Sequence, residues 1–169
     1  MFHVRNVKKY MMHIELSIDD KDTMIEISSK LIIGLLQFRQ LSNEPESGGV
    51  LVGKRLLNGT ISVLDFSKPS SGDLQERCRF SKKSSDHKEF VNNHFEDSSG
   101  YVSLVGEWHS HPENHPNASS TDKKSWEKVI LENDDKLFFL IIGKENWTIY
   151  ARNLNKWKAT TINLEEYLS

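Results

Sequence analysis

The chain has a single cysteine, Cys78, in 169 residues. That excludes an intramolecular disulfide framework and every zinc site built on several cysteines, and it fits a reducing compartment. Long hydrophobic runs are missing too. "LFFLIIG" is far too short to span a bilayer, and the opening "MFHVRNVKKYMMHIELSIDD" lacks the apolar segment of a secretion signal. A soluble, cytoplasmic protein with no membrane partner is the expectation. Charge of one sign is also lacking: Lys+Arg 22 against Asp+Glu 24 leaves a net charge of -2, so no global basic field argues for nucleic acid. The basic residues of "GKRLLNG" and "RCRFSKK" are few and read as a solvated face. Repeats, heptads and low-complexity tracts are absent, and the length suits one domain over residues 1–169 with a core of its own.

What is present is an alternation of helical and extended patterns. In "DTMIEISSKLIIGLLQFRQL" the spacing of Met24, Ile27, Leu31, Leu35 and Phe38 predicts one helix, with Thr23 and Glu26 as its capping box. Gly34 inside it suggests close packing against a neighbour. "VLVGKRLLNGTISVLDF" predicts a hairpin turning through Asn58-Gly59 in a type I′ turn. Ser67 to Ser85 reads as a long loop with a short strand around "RCRF", and Asp86 as the cap of a second helix, "HKEFVNNHFED", with Phe90, Val91, His94 and Phe95 on one face. A strand, "YVSLVGEW", precedes a third helix that begins near Ser120 and carries Trp126, Val129 and Ile130. "KLFFLIIG" is apolar throughout, as a central strand covered on both faces would be, and "NWTIYAR" and "KWKATTINL" finish the sheet. The order predicts an α/β fold of the α+β kind, with helices packed on a largely antiparallel sheet.

One stretch concentrates reactive side chains: "GEWHSHPENHPNASSTD", residues 106–122. His109 and His111 are two apart at a strand end, so both project to one face and can converge on a metal ion. Seven histidines in 169 residues give about 0.3 such pairs by chance, so the pair alone is weak. Asp122, in the first turn of the next helix, can return as a third ligand and leave a fourth tetrahedral position for water, the pattern of a catalytic zinc site. A helix-start aspartate favoured by the dipole is the plain alternative. Ser119 is either an N-cap or a donor to an oxygen that turns negative during attack on a carbonyl. His115, between Pro112 and Pro116, lacks the strand register and reads as a surface residue. A hydrolytic metal site needs a general base, and Glu46, Glu107 and Glu113 are the candidates. Glu107 shares the face of His109, Glu46 precedes Gly48-Gly49, and spacing ranks none of them.

"ESGGVLVG" from Glu46, then "WHSHP" from Trp108, then "SSTD" from Ser119 resembles the signature of the JAMM (MPN-type, JAB) metalloproteases, its elements in order with matching gaps. The resemblance implies that Glu46 is the general acid/base. It implies one zinc ion per chain, with a bound catalytic water, on His109, His111 and Asp122, and that Ser119 helps hold the oxyanion. It also implies a curved mixed sheet flanked by helices, related to cytidine deaminases. The deaminase reaction is excluded, because the His-x-Glu and Pro-Cys-x-x-Cys pattern is missing. The longer strings "GEWHSHPE" and "SSTDKKSW" are most similar to the small stand-alone bacterial branch found in mobile elements and in CBASS anti-phage operons. For that branch the expected activity is removal of ubiquitin-like conjugates, at the bond an E1–E2-like operon partner makes to the C-terminus of a nucleotidyltransferase. Processing of another ubiquitin-like or sulfur-carrier fusion, and a non-catalytic MPN scaffold, are the alternatives.

None of this chemistry uses a thiol. Cys78→Ser is therefore expected to leave the rate of hydrolysis unchanged, and a folded but inactive variant, scored in a conjugate-cleavage assay, would reopen nucleophilic catalysis by cysteine.

Overall fold

The structure, a computed structural model, describes residues 11–168. The expectation about a leader falls partly on residues 1–10, outside that range. The first two strands, β1 (Met11–Ile18) and β2 (Lys21–Ser28), form an antiparallel hairpin that pairs Ile14 with Ile25 and Leu16 with Thr23. This corrects the long helix expected from Asp22 onward. The stretch "TMIEI" satisfies a helical spacing, but it also alternates, and Thr23, Ile25 and Ile27 are the residues it buries. The turn decides it: Asp19 and Asp20 both take positive φ, 49° and 61°, as a two-residue hairpin of the right twist requires. Helix α1 (Ser29–Leu36) begins only after Ser28, whose hydroxyl accepts from the Leu31 N–H at 3.3 Å, so Ser28 rather than Thr23 is the cap. Gly34 does meet a close neighbour, since a methyl there would lie 3.2 Å from the Phe66 ring.

Strands β3 (Gly48–Arg55) and β4 (Ile61–Phe66) are the expected antiparallel hairpin. Its turn is not type I′: Gly59 alone has positive φ, 88°, and its N–H reaches Leu56 O at 2.9 Å, which closes a five-residue loop with glycine in the left-handed position. In the segment expected as a long loop with a short strand around "RCRF", that strand is present as β6 (Arg79–Ser81), and it pairs with an unexpected β5 (Leu74–Glu76) in a second, small hairpin. Helix α2 (Asp86–Asp97) follows, with Ser85 in the capping position and Asp86 inside the first turn, where it accepts from the Ser70 hydroxyl instead of capping. Of the expected apolar face, Phe95 is exposed; the helix buries His87.

The remaining elements are β7 (Ser103–Ser110), α3 (Ser120–Leu131), β8 (Phe138–Ile142), β9 (Asn146–Asn153), β10 (Lys156–Asn163) and a short α4 (Glu165–Leu168). Eight strands make one mixed sheet in the order β1-β2-β4-β3-β7-β8-β9-β10, with β2·β4 and β7·β8 parallel and the other pairings antiparallel. Strand β8 is central as expected. Phe138, Leu140 and Ile142 enter the larger core with α1, Leu51 and Trp108, while Phe139 and Ile141 enter a second core with Trp126 of α3 and Tyr150. No helix among the described residues is long and apolar enough to cross a membrane.

The sheet sits tightest where β7 and β8 run parallel. A Cβ added at Gly106 would lie 2.1 Å from the Phe138 carbonyl oxygen, a backbone atom that cannot swing aside. Gly106→Ala is expected to destabilise the fold by about 2 kcal/mol in urea denaturation. A variant as stable as the parent would refute that close approach.

Candidate metal centre

Strand β7 ends on the sequence Glu107-Trp108-His109-Ser110, and alternation sorts these side chains. Trp108 points into the larger core, where it packs against Phe38 and Phe66. His109 points to the opposite face and packs on Trp126 of α3, ring centroids 5.8 Å apart. His111 lies one residue past the strand and is tied to the sheet by its N–H to Ile142 O at 3.0 Å. The two imidazoles converge, Nε2 to Nε2 at 2.9 Å.

Asp122 arrives from the first turn of α3. A capping box holds it: its N–H donates to Ser119 Oγ at 3.0 Å, and its Oδ2 accepts from the Ser119 N–H at 2.8 Å. Its carboxylate oxygens lie 3.4 Å from His109 Nε2 and 3.3 Å from His111 Nε2. Two imidazole nitrogens and one carboxylate oxygen thus lie within 4.8 Å of one another, a donor set of the number and type that a divalent ion takes. Outer partners complete it, since Glu113 Oε1 meets His111 Nδ1 at 3.0 Å and fixes that ring. Both histidines are buried.

Glu46 closes the group. It sits just before β3, which pairs with β7 so that Gly48 lies opposite His109. Ser47 N–H donates to Ser110 Oγ at 2.9 Å and Ser47 O accepts from Ser110 N–H at 2.8 Å, which locks the approach of Glu46 to the histidines. Its carboxylate comes to 3.9 Å of His111 Nε2 and is 5% exposed. Burial pushes its carboxyl up to about 7, opposed by His111 and assisted by the charge of Asp122. Asp122 goes the other way: burial alone would raise it, but hydrogen bonds from His109 and His111 hold it well below the usual carboxylate range. For His111, burial is outweighed by the neighbouring carboxylates of Asp122, Glu46 and Glu113, which shift it upward.

The other candidates make contacts of their own. Glu107 does line the cleft but is engaged by the Lys82 ammonium, and Glu113 is spent on His111. His115 is 69% exposed in its side chain and pairs with Glu145 and Asn146, outside the group, as expected of a surface residue. The cleft holds about 1030 Å³ and runs between the β5–β6 hairpin, with Cys78, Phe80 and Lys82, and α3, with Ser125, Trp126 and Val129. Three contributors were not legible as site residues: Trp126, Ser110 and Phe80. Trp126 registered only as a helix-face residue, and Ser110 was hidden between the histidines. Phe80, whose ring fills the space a Cβ on Gly48 would need, registered only as part of a short strand within a long loop.

A family model described as prokaryotic homologs of the JAB domain matches residues 28–160. A Vibrio cholerae serotype O1 protein named CD-NTase/cGAS isopeptidase is 39% identical over 130 residues, covering 76% of this chain and 82% of its own. An Escherichia coli (strain TW11681) protein of the same name is 33% identical, covering 77% of this chain and 83% of its own. Among solved structures, a Desulfitobacterium hafniense protein superposes with a TM-score of 0.53 at 22% identity, over 78% of this chain and 86% of that one, a likeness of fold. With its His-x-His strand end, helix-start aspartate and buried glutamate in one cleft, this chain belongs to the prokaryotic JAB-domain family.

Proposed function

We propose that this chain is a zinc-dependent isopeptidase of the JAMM type, which removes conjugates from a protein substrate. The observation that carries it is the placement of the buried Glu46 carboxyl 3.9 Å from His111 Nε2, beside the His109, His111 and Asp122 cluster and open to the cleft. In this reading His109, His111 and Asp122 hold zinc, which when bound supplies Lewis acidity toward water and the scissile carbonyl. Glu46 takes the proton of the attacking water and returns it to the departing amine. Burial raises the Glu46 carboxyl above a solvated glutamate, the direction that strengthens it as a base. The Ser119 hydroxyl accepts from Asp122 N–H, so its own hydrogen remains to donate to the oxygen that gains charge. The amine is a lysine side chain in an isopeptide or a backbone nitrogen in a linear fusion.

The relatives' name, CD-NTase/cGAS isopeptidase, supports a nucleotidyltransferase conjugate as the substrate here; the bond cleaved is then the one an E1–E2-like partner makes to its C-terminus, in a CBASS setting. An extended tail fits the cleft between the β5–β6 hairpin and α3, next to the turn from Glu44 to Gly49. The whole chain acts as one domain, without nucleic acid.

Elemental analysis after dialysis is expected to find about one zinc per chain in the parent and little in Asp122→Ala, while a folded parent that binds none would leave the scaffold alternative. Glu46→Gln removes the base and no ligand. It is expected to keep its zinc and lose a factor of about 10² to 10⁴ in kcat on a conjugated substrate, and retained turnover would overturn the assignment.

A further inference from the structure

Behind the cleft lies a second buried chain of hydroxyl, imidazole and carboxylate that the mechanism above leaves unused. Ser67 Oγ is 2.6 Å from His87 Nδ1, and His87 Nε2 is 2.6 Å from Asp73 Oδ2. The side chains of His87 and Asp73 are 3% and 0% exposed. Ser, His and Asp in this order resemble a hydrolytic triad, but Ser67 is itself 5% exposed and its oxygen already accepts from the Val50 N–H at 2.8 Å, so no substrate carbonyl can reach it.

What the chain does touch is the framework of the cleft. Asp73 Oδ1 accepts from the Lys83 and Ser84 N–H groups at 2.9 Å each, and Oδ2 accepts from the Ser70 N–H at 2.8 Å. One carboxylate therefore pins both roots of the β5–β6 hairpin. The hairpin in turn holds the backbone of Glu46: Glu76 O accepts from Glu46 N–H at 2.7 Å, and Gln75 Nε2 donates to Glu46 O at 3.2 Å. At the opposite end, Ser67 O accepts from Trp108 Nε1 at 3.0 Å, one residue before His109, and Ser67 N–H donates to Val50 O at 2.9 Å. An ionised carboxylate only accepts, so His87 Nε2 carries the hydrogen toward Asp73. In a neutral ring Nδ1 then accepts from the Ser67 hydroxyl, and the chain is satisfied from Val50 to Asp73 with every donor used.

We propose that Asp73 and His87 are positioning residues for Glu46: by clamping the roots of the β5–β6 hairpin to Ser67 beside β3 and β7, they fix the distance between the glutamate and the histidine pair. They act through the hairpin and touch no substrate. The inference rests on Glu46 being the base. A shift of that carboxyl by about 1 Å is enough to cost on the order of 10²-fold in rate.

The test uses the full chain with Asp73→Asn, close to isosteric, which turns an acceptor at His87 and Ser70 into a donor, and His87→Ala as a second cut. Zinc content, kcat and KM on a conjugated substrate, and hydrogen exchange of the Glu46 amide are measured together. The expected result is parental zinc, kcat lowered at least tenfold with KM changed less than threefold, and Glu46 amide exchange at least tenfold faster while the Leu140 amide keeps its protection. Where His87→Ala fails to fold, Asp73→Asn decides alone. A folded variant with parental kcat and parental Glu46 exchange overturns the proposal, as does a loss of kcat that merely tracks a loss of zinc. If Glu46→Gln retains turnover, the base assignment fails instead, and the amide exchange still reports whether the clamp exists.

Discussion

The close antiparallel approach of β3 to β7 is the constraint on which the rest depends. Pairing Gly48 with His109 and Gly49 with Trp108 brings the turn that carries Glu46 alongside the strand that carries the histidines. The approach demands residues without side chains. A Cβ at Gly49 would lie 2.3 Å from Ser67 O, and one at Gly48 would lie 2.5 Å from the Phe80 ring and 2.8 Å from Trp108 O. The two glycines let the backbone of Ser67 and the ring of Phe80 close on the strand from opposite sides. One fixes the core beneath β7, and the other builds the wall of the cleft.

Electrostatics follows from that packing. Two carboxyl groups share this site, Asp122 facing both buried imidazoles and Glu46 facing His111, and the structure drives their proton affinities apart. Asp122 takes hydrogen bonds from both rings and stays anionic, while Glu46 is buried with less compensation and is pushed to about 7. Like groups in different surroundings thus become a permanent anion suited to holding a cation and a carboxyl suited to passing a proton. The second salt link of the cleft differs: Lys82 of the hairpin engages Glu107, so that glutamate, unlike Glu46, is paired with an ammonium.

The sequence pattern was most legible where one period competed with no other. Strand β8 could be read as doubly covered because every residue of "LFFLIIG" is apolar, and the gap from His-x-His to Asp122 was visible because all three have ligand chemistry. It failed at "DTMIEIS", where 3.6-residue and two-residue spacings both fit. There the strand won through pairing with β1 across a turn of two aspartates in positive φ, a partner that a window opening at Asp22 leaves out. Of the β5–β6 hairpin only the strand around "RCRF" was expected, and β5 with its pairing was missed for a related reason. Its strands are three residues each, and its order comes from Asp73, His87 and Gln40, whose Nε2 donates to Arg77 O at 2.7 Å, rather than from apolar alternation. Ordering by polar anchors leaves no periodic trace.

The residues of "SSTD" show why the plain and the chemical interpretations of one motif need not compete. Ser119 and Asp122 are a capping box by every hydrogen bond they make, which accounts for both without any ion. That same box determines where the carboxylate points. With Oδ2 held by the Ser119 N–H at 2.8 Å, the side chain has little rotational freedom left, and the orientation that remains faces His109 and His111. The entropy of ordering this carboxylate is therefore met when the helix forms, so the proposed cation site would need little further rearrangement on binding. Because Ser119 spends an oxygen lone pair on the cap, its hydrogen is the part left for the cleft. A helix start placed after a strand end thus orients a carboxylate toward the histidine pair and leaves a hydroxyl hydrogen free through the same contacts that satisfy its first turn.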